Sequence, residues 1–106
     1  MSAELGRIQF AGDNGVDYNA VGASIHSVVD GTVGQFSMPA AVVISTTPGN
    51  GFIPQERIRV APSGALGFAG SNYGTAGQVI LSGGSGTTPS WSDLPLYDIS
   101  TLTDLP

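Results

Sequence analysis

The chain has one histidine, His26, which follows Ser24 by two residues and precedes Asp30 by four. A serine, a histidine and a carboxylate could act as a nucleophile, its general base and an orienting acid. The spacing argues against that chemistry, because Ser24 and His26 on one strand project from the same face about 7 Å apart. No glycine-framed turn presents the serine either. We therefore predict no catalytic residue, and we expect His26 to be a surface or interface imidazole on a strand.

Acidic and amide residues alternate from residue 13 to residue 19, which could suggest a calcium loop. The residues are Asp13, Asp17 and Asn19. An EF-hand needs Gly at its sixth position and a bidentate Glu at its twelfth. Tyr18 and Ser24 occupy those positions, so the spacing predicts an ordinary turn. We predict no metal site and no cofactor.

Two pairs of aspartates could approach to the 5 to 9.5 Å that glycoside hydrolysis requires. These are Asp13 with Asp17 and Asp93 with Asp98. Few aromatic residues flank them, so a glycan-binding or glycan-cleaving module, with a host surface glycan as partner, is a less favoured alternative. The glycines of 83–86 are not a phosphate loop, because no lysine follows them.

Two of the three basic residues stand close together, as Arg57 and Arg59, beside Glu56. Strand alternation predicts both arginines on one face, with Ile58 and Val60 on the other. A solvated face is one interpretation, in which exposed ion pairs contribute little. The other is that Glu56 pairs with an arginine of another subunit and fixes the register between identical chains.

The composition predicts an all-β chain of short strands and turns. Its 106 residues include 16 Gly and 7 Pro, and aromatic residues make up 8%. The net charge of −5 argues against nucleic acid as a partner, since phosphate binding needs clustered Lys and Arg. No stretch of about 20 apolar residues is present, so we expect no membrane partner. We expect synthesis and assembly in a cytoplasm.

Alternation and turn residues predict four main strands, at 6–10, 20–29, 40–44 and 55–60. Asn14-Gly15 is the strongest hairpin signal between the first two. The continuous apolar run of 40–44 is typical of a strand that is covered on both sides. Pro62-Ser63-Gly64 predicts a tight turn that closes this unit.

The residue composition changes after residue 64, and we predict three parts in the chain. Residues 1–64 form the β-rich unit, and 65–92 form a Gly/Ser/Thr-rich β segment in which Trp91 is the natural anchor. Residues 93–106 form an extended docking tail, because Pro95 interrupts any helix. Its docking residues are predicted to be Leu94, Leu96, Tyr97, Ile99 and Leu102.

The predicted core is thin, since much of the apolar content is Ala and Val. A chain of this size buries only about two thirds of its unfolded surface. Cysteine is absent, so disulfides cannot compensate, and association with other copies is the remaining common route. We therefore expect an intertwined homo-oligomer, with inter-subunit packing by Ile58, Val60, Val79, Leu81 and Trp91.

The order of several short motifs resembles a unit of bacteriophage tail fibres and related virion proteins. The motifs are Gly6-Arg7-Ile8-Gln9-Phe10 with Gly12-Asp13-Asn14-Gly15, Val29-Asp30-Gly31-Thr32 with Met38-Pro39, Ser45-Thr46-Thr47, and Glu56-Arg57-Ile58-Arg59-Val60 with Ser63-Gly64. The stretch from Gly74-Thr75-Ala76-Gly77-Gln78-Val79 through Pro89-Ser90-Trp91 is similar to a second element of the same proteins.

This resemblance implies a structural, non-enzymatic role in a trimeric, β-rich assembly within the virion. The chain would be a short tail fibre, a fibre adaptor or an appendage protein, with itself and other virion structural proteins as partners. A capsid decoration or cement protein, such as a head fibre, is the alternative. No evident distal receptor-binding domain is present, so the resemblance does not extend to host recognition.

Overall fold

The structure is a computed structural model that describes residues 3–16 and 20–94. The described part is all-β and contains seven strands and no helix, as predicted. The strands are β1 (Glu4–Gly12), β2 (Ala20–Val29), β3 (Ala40–Thr46), β4 (Gln55–Val60), β5 (Leu66–Phe68), β6 (Val79–Leu81) and β7 (Ser90–Ser92).

The first five strands form one antiparallel sheet in the order of the chain, β1-β2-β3-β4-β5. All four predicted main strands are present, and β2 and β4 have the predicted bounds. The sheet continues past residue 64 to Phe68, because the tight turn at 62–64 returns the chain beside β4. That turn is confirmed: Gly64 has φ 92° and its N–H donates to Ala61 O at 2.8 Å.

The β1–β2 connection is longer than a two-residue turn. β1 ends at Gly12 and β2 begins at Ala20. Within the connection, Asp13 Oδ1 accepts from Gly15 N at 2.7 Å, and Asn14 Oδ1 accepts from Val16 N at 2.9 Å. The Asx side chains shape this loop from its own residues. The hairpin itself is therefore confirmed, while its turn is wider than the Asn-Gly signal suggests.

Three bulges interrupt the ladder and turn side chains out of simple alternation. They lie at Leu5 in β1, where Glu4 and Gly6 face consecutive residues of β2, at Gly22 in β2, and at Arg57 in β4. A bulge places two residues opposite one and bends its strand.

Strand β3 is covered on one face only, so the prediction of cover on both sides is wrong for a single chain. Ala41 and Val43 are fully buried, whereas Val42 is 44% exposed and Ile44 is 38% exposed. The sheet is one layer thick at this point, and no second layer of the described chain lies over Val42 and Ile44.

Strands β6 and β7 form a separate two-stranded sheet that packs on the β5 end of the large one. The indole Nε1 of Trp91 donates to Leu66 O at 3.1 Å, and its ring lies 5.7 Å from the ring of Phe68, tilted by 47°. Trp91 thus attaches the small sheet to the large sheet of its own chain. Its packing between subunits stays a prediction.

The molecule is open and thin. Its radius of gyration is 19.0 Å, against about 13 Å for a compact domain of this length, and one dimension is only 21 Å. Its accessible surface is 7804 Å², against about 5500 Å² for a compact monomer of this mass. Among the described residues, the buried hydrophobic core consists of Ala41, Val43 and Phe68.

Candidate assembly interface

One apolar side chain from each strand forms a straight row across the large sheet. In the ladder, Ile8 faces Ile25, Ile25 faces Ile44, Ile44 faces Ile58, and Ile58 faces Phe68. Residues in register on neighbouring strands share a face and pack side by side about 5 Å apart. We call this set, Ile8, Ile25, Ile44, Ile58 and Phe68, the isoleucine row.

A second row runs parallel to it on the same face. Val42 faces Val60 and Val60 faces Leu66, and each is two residues from a member of the isoleucine row. Their exposed fractions are 44%, 37% and 37%. We call the face that carries both rows the isoleucine face.

The isoleucine row is best covered beside the small sheet and least covered at β1. Phe68, under Trp91, is 7% exposed, whereas Ile25 and Ile44 are each 38% exposed and Ile8 is 59% exposed. The small sheet therefore covers one end of the row and leaves the rest in water. A contiguous apolar surface of this kind is typical of a site that contacts another protein, a membrane or a ligand.

The opposite face of the sheet carries most of the charged residues of the described strands, and we call it the polar face. Arg59, on this face opposite Val43, donates from Nε and Nη2 to the two carboxylate oxygens of Glu56, both at 2.9 Å. Asp30 lies 4.0 Å from the same guanidinium. The hydrogen bond to Glu56 raises the pKa of Arg59, so this arginine stays charged wherever the protein is folded.

The polar face is the better covered one because its strand residues are small and their neighbours are long. Ser24 is 1% exposed and Ser45 is 4% exposed, beside Ala41 and Val43. The stems of arginine and glutamate side chains can lie over such residues while their charged ends reach water. Ile25 of β2, which faces Ile44, therefore lies on the open face.

The serine and histidine that could do chemistry are not assembled for it. Ser24 Oγ and His26 Nδ1 are both buried and neither has a hydrogen-bond partner. Ser24 faces Gln9 and Ser45, and His26 faces Arg7 on one side. A buried hydroxyl without a base cannot serve as a nucleophile.

The prediction that Arg57 and Arg59 share a face is wrong, because Arg57 is the extra residue of the β4 bulge. Its Nε donates to Thr46 Oγ1 at 2.8 Å, and Thr46 lies on the face of Ile44. Both carboxylate oxygens of Glu56 are occupied by Arg59 of the same chain. Pairing of Glu56 across subunits stays a prediction.

The two edges of the sheet differ. Two carbonyl groups on the β5 edge are occupied by side chains, since Trp91 donates to Leu66 O and Asn72 Nδ2 donates to Phe68 O at 2.9 Å. The outer edge of β1 pairs with no strand of the described chain, and all nine of its residues are exposed. An open edge strand is a template for another chain.

The five predicted packing residues lie in two different sheets: Ile58 and Val60 in the large sheet, and Val79, Leu81 and Trp91 in the small sheet. Ile58 and Val60 lie on the isoleucine face. Trp91 faces Ile80 in the small sheet, so Val79 and Leu81 project from the other side of β6. Leu81 is 49% exposed. The five residues therefore do not form one surface within a chain.

Of the predicted docking residues, Leu94 is described and is 60% exposed. Leu96, Tyr97, Ile99 and Leu102 lie outside the described residues. Among the acidic candidates, Asp93 accepts from Gln78 Nε2 at 3.2 Å, and Asp17 and Asp98 are outside the described part. Within residues 3–16 and 20–94, His, Asp and Glu form no group of three that could hold a metal ion.

Sequence reasoning missed most of the isoleucine face. It named Ile58 and Val60 but not Ile8, Ile25 or Ile44. The missing information was the register between strands, which the bulges shift.

Searches for related proteins found no match: no family model, no curated protein and no solved structure resembles the chain significantly. No helix long and apolar enough to cross a membrane occurs in the described ranges.

Proposed function

We propose that this chain is a non-enzymatic structural component of a bacteriophage virion that works as a homotrimer, such as a short tail fibre, a fibre adaptor or an appendage protein. The observation that carries the proposal is the uncovered isoleucine face. The order of the sequence motifs supports the virion assignment and the proposal that three chains form each assembly.

Association through the isoleucine face supplies the burial that one chain lacks. Ile25, Ile44, Val42, Val60 and Leu66 each keep between 37% and 44% of their surface in water. Full burial of such a side chain is worth about 1.5 to 3 kcal/mol, so covering the remainder contributes about 1 kcal/mol for each residue. Three sheets that turn this face toward a common axis would cover it together.

The open β1 edge gives a second means of association. Strands contributed by neighbouring chains would satisfy its free N–H and C=O groups. Such exchange of strands is what the term intertwined implies, and it accounts for a nine-residue strand with no buried residue.

Attachment to the particle is assigned to residues 93–106. Deletion of this segment should leave the assembled protein intact and remove it from purified particles. Particles that carry the truncated protein at normal occupancy would refute the assignment.

Labelled-antibody electron microscopy of intact phage particles tests the proposed function directly. Label along the tail or its fibres supports it, and label over the capsid surface would reassign the chain as a decoration protein. Absence of label from every particle, with the protein present only in the host lysate, would overturn the virion role.

A further inference from the structure

Two apolar surfaces lie at opposite ends of the same two strands. Strands β2 and β3 are joined at one end by residues 30–39, and at the other end they border a cavity. A ten-residue strand spans about 33 Å, so the two surfaces are separated by roughly that distance along the strand direction.

The first surface is a projecting tip held by its own hydrogen bonds. Gly34 N donates to Ser37 O at 2.9 Å and Ser37 N donates to Gly34 O at 3.2 Å, which leaves Gln35 and Phe36 as the apex of a narrow ribbon. Phe36 is 94% exposed. Val33 and Met38 flank it at 48% and 57%, and residues 31–38 carry no charge.

The second surface is an open cavity of about 1000 Å³ where the chain enters β2 and leaves β3. Its apolar lining includes Val21, Phe52, Ile53 and Pro54, with Val16 at the rim, and no described lining residue is charged. Phe52 is 83% exposed and Val16 is 85% exposed. The volume is at the upper end of the range found for specific binding pockets, and an aromatic side chain with its flanking residues would fit.

From these two surfaces we infer that copies of this chain associate end to end, with the Phe36 tip of one copy seated in the cavity of the next. The occupant is a second copy because the chain itself presents the matching element: an aromatic projection without charge at one end of β2 and β3, and at the other end an apolar recess whose described lining residues carry no charge. Each surface would remove the other's exposed aromatic residue from water.

This contact joins two different surfaces, so it does not close on itself. A head-to-tail contact without a closing rotation builds an open row of subunits along the strand direction. It is independent of the isoleucine face, which lies on the side of the sheet. The end-to-end contact would lengthen the assembly, whereas the isoleucine face would set how many chains surround the axis of the assembly.

The test uses full-length protein and sedimentation velocity at increasing protein concentration. The smallest species reports association through the isoleucine face, and growth in multiples of that species reports the end-to-end contact. Assemblies of the wild-type protein should increase in size as the protein concentration rises. Phe36→Ser, which removes the tip, and Phe52→Ser with Ile53→Ser, which removes the cavity wall, should each stop growth at the smallest species. Loss of one buried aromatic side chain weakens such a contact by about ten- to a hundredfold.

Mixing the two variants gives the decisive result. The Phe36→Ser protein keeps its cavity and the cavity variant keeps its tip, so a mixture should form pairs of the smallest species and go no further. Phe36→Leu should restore growth, and Ile80→Ser, a control outside both surfaces, should leave growth unchanged. Wild-type protein that never grows, or variants that grow alone, or a mixture that fails to pair, would each overturn the inference.

Discussion

Gly74 and Trp91 show how a single residue type fixes the position of the small sheet. Gly74 has φ +71°, and a Cβ placed there would lie 2.6 Å from Trp91 Cγ and 2.9 Å from Trp91 Cβ. The indole therefore rests on a backbone position that has no room for a side chain. From the sequence, Trp91 was identifiable as an anchor, but Gly74 was one glycine among 16, because its role depends on a contact 17 residues away.

Gly74→Ala should displace the indole and uncover Phe68. We expect a red shift of the tryptophan emission and loss of about 2 kcal/mol of unfolding free energy, from steric overlap and backbone strain combined. Gly77→Ala is the matched control, since Gly77 also has positive φ, at 92°, but nothing lies within 4 Å of its added Cβ. Equal effects in the two variants would show that Trp91 does not rest on Gly74.

The ion pair of Glu56 and Arg59 has the least exposed side chains of the described ion pairs. Its side chains are 24% and 18% exposed, against 41% and 36% for Glu4 and Arg7. Glu56→Gln should lower the unfolding free energy by about 1 kcal/mol, measured by chemical denaturation, and Glu4→Gln should lower it less. A larger effect at Glu4 would contradict this description of the polar face.

The pair also makes a prediction for pH. The pKa of Arg59 is raised in the folded state, so its contribution to stability is complete below the ordinary arginine pKa and is lost only as the pH rises through the higher folded value. Arg59 should therefore add no pH dependence to stability between pH 5 and pH 9. A fall in stability within that range that Arg59→Gln abolishes would contradict the assignment.

At the scale of elements, the strands were predictable and their alignment was not. Alternation located β1, β2 and β4, and Pro and Gly located the turns, because both signals are local. The isoleucine row depends on which residue of one strand faces which residue of the next. One extra residue at Arg57 shifts that alignment, and no local pattern marks it.

The isoleucine row makes a prediction that separates an assembled sheet from an isolated one. Ile44→Thr keeps a β-branched residue and should cost about 1 to 2 kcal/mol per chain if Ile44 is covered by other copies. In a trimer this amounts to about 3 to 6 kcal/mol. Because the midpoint concentration scales as the square root of the trimer dissociation constant, dissociation on dilution should occur at a concentration about ten- to a hundredfold higher.

Ile80→Thr serves as the control, because Ile80 is more exposed, at 49%, and lies outside the isoleucine face. Size-exclusion chromatography with light scattering over a dilution series measures both variants. Unchanged dissociation of the Ile44→Thr protein would mean that the isoleucine face is not the contact between copies.

At the scale of the whole molecule, the shape explains why composition alone pointed toward association. A short, Gly-rich chain without cysteine cannot close a second layer over its sheet. The described part accordingly has three buried hydrophobic residues and many large ones in water, among them Ile8, Phe10 and Phe52. Composition could indicate that burial is insufficient, but it could not indicate which face is open.

The mass of the folded protein in dilute buffer tests the central claim most directly. Light scattering should give three times the chain mass of 10.7 kDa, and thermal unfolding should shift to higher temperature as the protein concentration rises. A species of 10.7 kDa that unfolds cooperatively at a temperature independent of concentration would contradict the account.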